Sequence, residues 1–78
     1  MYFVYVLQSQ KDQSLYKGYT ENLMERIKQH NLGKAKYTSS KRPWNVIYYE
    51  EYSTLEEARN REKYLKTAAG RRLLKKIL

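Results

Sequence analysis

The stretch from Leu15 to Asn31, LYKGYTENLMERIKQHN, contains an arginine and a histidine four residues apart, Arg26 and His30. On a helix that spacing puts both side chains on one flank, a turn apart, beside the apolar pair Leu23 and Ile27. A guanidinium and an imidazole so placed could share one ligand. Taken alone, the same pair also describes a solvated arginine and a structural histidine. A second anomaly lies further along, where Leu55, Ala58, Glu62 and Leu65 fall at spacings of three, four and three on one helical face. A carboxylate interrupts that apolar stripe. Burying an ionised acid is costly unless it is paired or bound to a cation, so Glu62 reaches the edge of the stripe, pairs with Arg59 or Lys66, or meets a cation from elsewhere.

These residues need a frame to hold them. Tyr2 to Gln8, YFVYVLQ, is β-branched and aromatic with hardly a polar interruption, which predicts a central strand covered on both faces. The polar run Ser9 to Ser14 gives a hairpin loop returning into a second strand, Leu15 to Tyr19. Alternation there puts Tyr16 and Gly18 on one face and Lys17 and Tyr19 on the other. Gly18 would then allow close approach of helix or substrate, or mark a simple bend. Thr20 as cap and Glu21 in the first turn predict helix one over residues 21–31. The segment 32–45 reads as a long exposed loop, and Val46 to Tyr52 as strand three. Ser53 with Glu56 three residues on forms a capping box for helix two. Arg71 to Leu78 is a last amphipathic segment.

Seventy-eight residues with no linker-like run are the size of one small domain, expected over 1–78. The chain has no cysteine, which removes thiolate chemistry, disulfides and zinc-thiolate sites together. Sixteen Lys and Arg against eight Asp and Glu give a net charge of +8, which favours a polyanionic partner. The cations are spread over several elements, so nucleic acid is expected rather than a membrane surface. With no export signal and no span-length apolar run, a soluble cytoplasmic protein is expected.

The tyrosine Tyr5 in VYVL, YKG at Tyr16 to Gly18, Arg26 and His30 in RIKQHN, and Glu62 in ARNREKYLK occur in the order that marks the GIY-YIG nuclease superfamily. The chain resembles that superfamily over nearly its whole length, and in particular its small single-domain UPF0213 group. The first triplet is Phe3-Val4-Tyr5 rather than Gly-Ile-Tyr, the second Tyr-Lys-Gly rather than Tyr-Ile-Gly, and no asparagine follows Glu62. The resemblance implies phosphodiester hydrolysis with one divalent cation, Mg²⁺ or Mn²⁺, held by Glu62 through oxygen. It implies Arg26 on the scissile phosphate and Tyr5 as general base. An unperturbed phenol is too weakly acidic for that task, so a nearby cation must lower its pKa or a relay through His30, Tyr16 or Lys17 must take the proton onward.

The expectation is an α/β (α+β) domain, a three-stranded antiparallel sheet flanked by helices in the order ββαβαα, acting as a metal-dependent DNA endonuclease of low sequence specificity. Lys17, Lys34, Lys36, Lys41, Arg42, Arg71 and Arg72 would hold backbone phosphates without reading bases, and selectivity would come from shape, a free end or an unidentified protein partner. The alternative is a catalytically weak or inert module that binds DNA or RNA through the same surface. A further reading is an adaptor that docks on another protein through Trp44 and the final helix.

Overall fold

The computed structural model describes residues 1–78. Its elements are β1 (Tyr2–Ser9), β2 (Leu15–Thr20), α1 (Leu23–Asn31), β3 (Trp44–Tyr52), α2 (Leu55–Leu65) and α3 (Ala68–Ile77), with one 3₁₀ turn at Ser39–Lys41. The sheet is antiparallel in the order β2-β1-β3, so the apolar strand is central, as its composition requires. The order ββαβαα stands.

Each face of β1 feeds a separate core. Val4 and Val6 pack with Ala58, Leu65 and Leu74 beneath α2 and α3. Tyr5 and Leu7 pack with Trp44, Leu23 and Ile27 beneath α1. A bulge between Val6 and Leu7 shifts the register with β3, pairing Val6 with Tyr48 but Leu7 with Val46. Because side chains alternate with a period of two, that one extra residue turns Val46 and Trp44 to the α1 side while Ile47 and Tyr48 stay on the other.

Helix boundaries differ from expectation in their caps. Asn22, not Thr20, caps α1: its side chain accepts from Glu25 N at 3.1 Å, and Thr20 Oγ1 instead accepts from Asn22 N. Thr54 and Glu57 form the capping box of α2 in place of Ser53 and Glu56. Helix α3 starts earlier, with Thr67 capping Gly70 N, and Gly70 sits so close to Tyr64 O that an added Cβ would lie 2.0 Å from it. The loop between α1 and β3 is not simply exposed. Thr38 and Trp44 are buried, and the Trp44 indole N–H donates to Thr38 O at 2.9 Å.

Candidate active site

Tyr5 rises from the middle of the central strand with only 1% of its surface exposed. Its register partner on β2 is Gly18, and a Cβ built there would stand 2.6 Å from the Tyr5 hydroxyl and 2.7 Å from its ring carbon Cζ. Gly18 is therefore neither a bend nor an approach point for α1. It is the gap through which the Tyr5 phenol crosses the edge strand.

Beyond that gap the phenol meets His30, held in the last turn of α1 and fully buried. Tyr5 Oη lies 3.0 Å from His30 Nε2, and His30 Nδ1 lies 2.7 Å from Thr38 Oγ1. Tyr16 closes the group, its ring centroid 5.1 Å from that of His30 and 6.4 Å from that of Tyr5. Tyr37 stacks outside Tyr16 at 5.8 Å with 67% of its surface in solvent. Arg26, half-buried one turn before His30, gives one N–H to Gln29 Oε1 at 3.0 Å and lies beside the Tyr5 hydroxyl.

Burial sets the proton affinities. It pushes the Tyr5 phenol up to about 12, outweighing the opposing pull of Arg26. Of the two alternatives read from the sequence, a lowered phenol or a proton relay, the first is opposed here, because the pull of Arg26 is smaller than the push of burial. Burial, helped by the Arg26 charge, holds His30 down at about 4, so its imidazole is neutral at ordinary pH. A protonated phenol facing a neutral imidazole is an arrangement for passing a proton onward.

Glu62, on α2, is near enough to the phenol that its charge also raises Tyr5. Its side chain is 13% exposed, and Oε2 accepts from Lys66 Nζ at 3.0 Å. Of the partners open to it, Lys66 is the one it takes. No three metal-ligating side chains gather anywhere in the chain. One sheltered carboxylate with one oxygen uncommitted suits a hard divalent cation that keeps most of its shell as water and phosphate, and does not suit a closed protein cage.

Lys17 points to the opposite face from Tyr16, as alternation requires, and burial, helped by the charges of Arg71 and Lys66, lowers its pKa. Leu15, Tyr16, Lys17, Tyr37 and Lys66 line a cleft of about 340 Å³ at the β2 edge. Arg71 lies next to it, with Leu15, Lys17 and Lys75. Other expected phosphate contacts are placed differently. Lys34, Lys36 and Arg72 are exposed, Lys41 is tied to Asp12 at 3.5 Å, and the Arg42 guanidinium packs over Gly33. Trp44 is 2% exposed, which removes it as a docking residue and corrects the adaptor reading. Sequence reasoning missed Thr38 and Tyr37 as members of the site, and named Lys66 only as one of two ion-pair partners open to Glu62. For Lys66 the signal was present in its i+4 spacing from Glu62; for Thr38 nothing local distinguishes it from its loop.

The description "GIY-YIG catalytic domain" fits residues 1–76. The chain is 46% identical over 77 residues to a UPF0213 protein of Staphylococcus haemolyticus, covering 97% of this chain and 93% of that one. It is 48% identical over 67 residues to a UPF0213 protein of Clostridium perfringens, covering 85% and 71%. The solution NMR structure of a UPF0213 protein from Bacillus halodurans superposes with a TM-score of 0.59 at 33% identity, over 99% of this chain and 85% of that one. The chain belongs to the GIY-YIG catalytic domain family, a nuclease family whose substrates are nucleic acids, and within it to the UPF0213 group. No helix is long and apolar enough to cross a membrane.

Proposed function

We propose that this GIY-YIG chain is a metal-dependent endonuclease that hydrolyses DNA phosphodiester bonds with low sequence specificity. The observation that carries the reading is the buried Tyr5–His30 contact at 3.0 Å, flanked by Arg26 and Glu62. A packing tyrosine needs no neutral imidazole on its hydroxyl and no guanidinium beside it.

Water attacks the scissile phosphorus as one of its protons passes to Tyr5 Oη and the phenolic proton moves to His30 Nε2, while the ester P–O bond opposite breaks and its departing oxygen takes a proton from solvent. A phenol at about 12 does not ionise alone at neutral pH, so Tyr5 acts by exchanging one proton for another. His30, held at about 4 at rest, takes the phenolic proton only as the negative charge of the bound phosphate raises its affinity. Arg26 places its remaining donors on two phosphate oxygens and offsets the charge that builds there. Glu62 would hold the divalent cation, Mg²⁺ or Mn²⁺, which when bound supplies positive charge at the leaving oxygen. Glu62 Oε1 is open to the cation while Oε2 holds Lys66, and once that ammonium is displaced Lys66 is free to meet the backbone beside Lys17 and Arg71. These cations hold phosphates, which accounts for low sequence specificity.

Supercoiled plasmid incubated with the protein is expected to be nicked with Mg²⁺ and left intact without it or with Glu62→Ala. Cleavage that survives Glu62→Ala would overturn the metal assignment. The Lys66 ammonium on Glu62 favours a second reading, a module that binds nucleic acid without cutting it. Retarded plasmid with no nicking at any Mg²⁺ or Mn²⁺ concentration would select that reading.

A further inference from the structure

The proton that links Tyr5 to His30 has a direction, and the loop behind His30 sets it. Three hydrogens are shared along this buried chain: the Tyr5 hydroxyl proton, the single proton of the neutral His30 ring and the Thr38 hydroxyl proton. Thr38 Oγ1 lies 2.7 Å from His30 Nδ1 and 3.3 Å from Ala35 O. If the ring proton sits on Nδ1, it is donated to Thr38 Oγ1, Thr38 donates to Ala35 O, and Tyr5 donates to the bare Nε2. Every proton then has an acceptor.

If instead the ring proton sits on Nε2, it points at Tyr5 Oη, and Thr38 must turn its own proton to Nδ1. The Tyr5 hydroxyl then has no protein acceptor, for the neighbouring Arg26 can only donate, His30 is its one side-chain acceptor and its surface is 1% exposed. A buried donor left without a partner is strongly disfavoured. Thr38 is itself fully buried and anchored, its carbonyl receiving the Trp44 indole N–H at 2.9 Å.

We propose that Thr38 is a positioning residue that fixes His30 as the Nδ1–H tautomer, leaving Nε2 as the acceptor of the Tyr5 proton. The threonine touches no reacting atom. It acts by accepting from the far nitrogen, so that the near one is basic. Trp44, through its bond to Thr38 O, holds the threonine in place.

This inference rests on the Tyr5–His30 relay of the proposed function, but its test does not depend on cleavage. Two-bond ¹H–¹⁵N correlation spectra of the uniformly ¹⁵N-labelled full chain at pH 7 distinguish the tautomers of its one histidine. The resting protein is expected to show a protonated Nδ1 and a bare Nε2. Thr38→Val, which keeps the shape and deletes the hydroxyl, leaves the Nδ1 proton without an acceptor and is expected to raise the Nε2–H fraction measurably above that of the parent and to slow plasmid nicking. Thr38→Ser is expected to restore both tautomer and rate to within about threefold of the parent. A resting protein with Nε2 protonated overturns the inference whether or not the protein cuts DNA or the valine variant folds. So does a folded Thr38→Val protein whose His30 spectrum matches the parent. A correct tautomer with no nicking leaves the inference standing and defeats the nuclease reading instead.

Discussion

Two hydrogen-bonded polar groups sit on opposite faces of the same sheet, and their difference separates structure from chemistry. Beneath α2, Glu50 receives the hydroxyls of Tyr48 and Tyr52, the latter at 2.7 Å, and both Nε and a terminal nitrogen of Arg61 at 2.8 and 3.0 Å. Burial alone would raise this carboxyl, yet the hydrogen bonds from Arg61, Tyr48 and Tyr52 hold it below the usual carboxylate range. Both oxygens are saturated, and nothing remains to bind a ligand. Beneath α1, by contrast, Tyr5 and Arg26 are each only partly committed, and Glu62 on α2 has a single partner. A closed network ties β3 to α2; an open one leaves lone pairs and donors for a substrate.

Substitutions should divide along that line. The largest effect is expected from Tyr5→Phe, which deletes the proposed proton carrier and should slow plasmid nicking by roughly 10²–10⁴-fold, the usual span for a general base. Gly18→Ala comes next. Its new Cβ falls on the Tyr5 hydroxyl, so the phenol must move, and nicking should drop at least about tenfold with a stability loss of roughly 1–3 kcal/mol by denaturant titration. On the other face, Glu50→Gln should reverse the pattern, lowering stability by roughly 2–3 kcal/mol with nicking at low temperature nearly unchanged. That figure is below the range for a fully buried pair because Arg61 keeps 29% of its side chain in solvent.

The two groups also separate by pH. His30 is at about 4 in the fold against an ordinary 6.5, so between those values the unfolded chain binds a proton that the folded chain refuses. Stability from His30 is therefore lost as pH falls from about 6.5 toward 4 and changes no further below that. Glu50, with its pKa lowered from 4.5, contributes stability above that value that disappears as pH falls through its folded value. Thermal melts from pH 7 to 3 should show the His30 step first, and His30→Gln should remove the upper step alone. A melting curve flat between pH 6.5 and 5 would show that His30 is not held neutral by burial. The smallest shift is expected in the His30 pKa of Arg26→Gln, where losing that charge should raise the value measured by NMR titration.

Much of the frame was readable from residue patterns. The uninterrupted apolar run of β1 required a central strand, and the i,i+4 spacing of Arg26 and His30 required a shared helical flank. Local signals failed where two residues offered the same chemistry. Thr20 and Asn22 can each cap α1, and Ser53 and Thr54 each have a glutamate three residues on, so only the path of the chain decides. Long-range pairings were invisible for a different reason. Gly18 matters because Tyr5 is its register partner, Thr38 because Trp44 folds the loop inward, and Glu50 because Arg61 arrives eleven residues later from α2. A polar residue in a polar loop carries no mark of the side chain it will meet.

The central claim is that the open network, and not the closed one, moves protons at phosphorus. Its most direct test is the single-turnover nicking rate of Tyr5→Phe set beside that of Glu50→Gln, at a temperature and denaturant concentration where both remain folded. The account predicts a collapse of at least about a hundredfold for Tyr5→Phe with its melting temperature nearly kept, and a near-parental rate for Glu50→Gln despite its lower stability. A Tyr5→Phe protein that cuts as fast as the parent would contradict it.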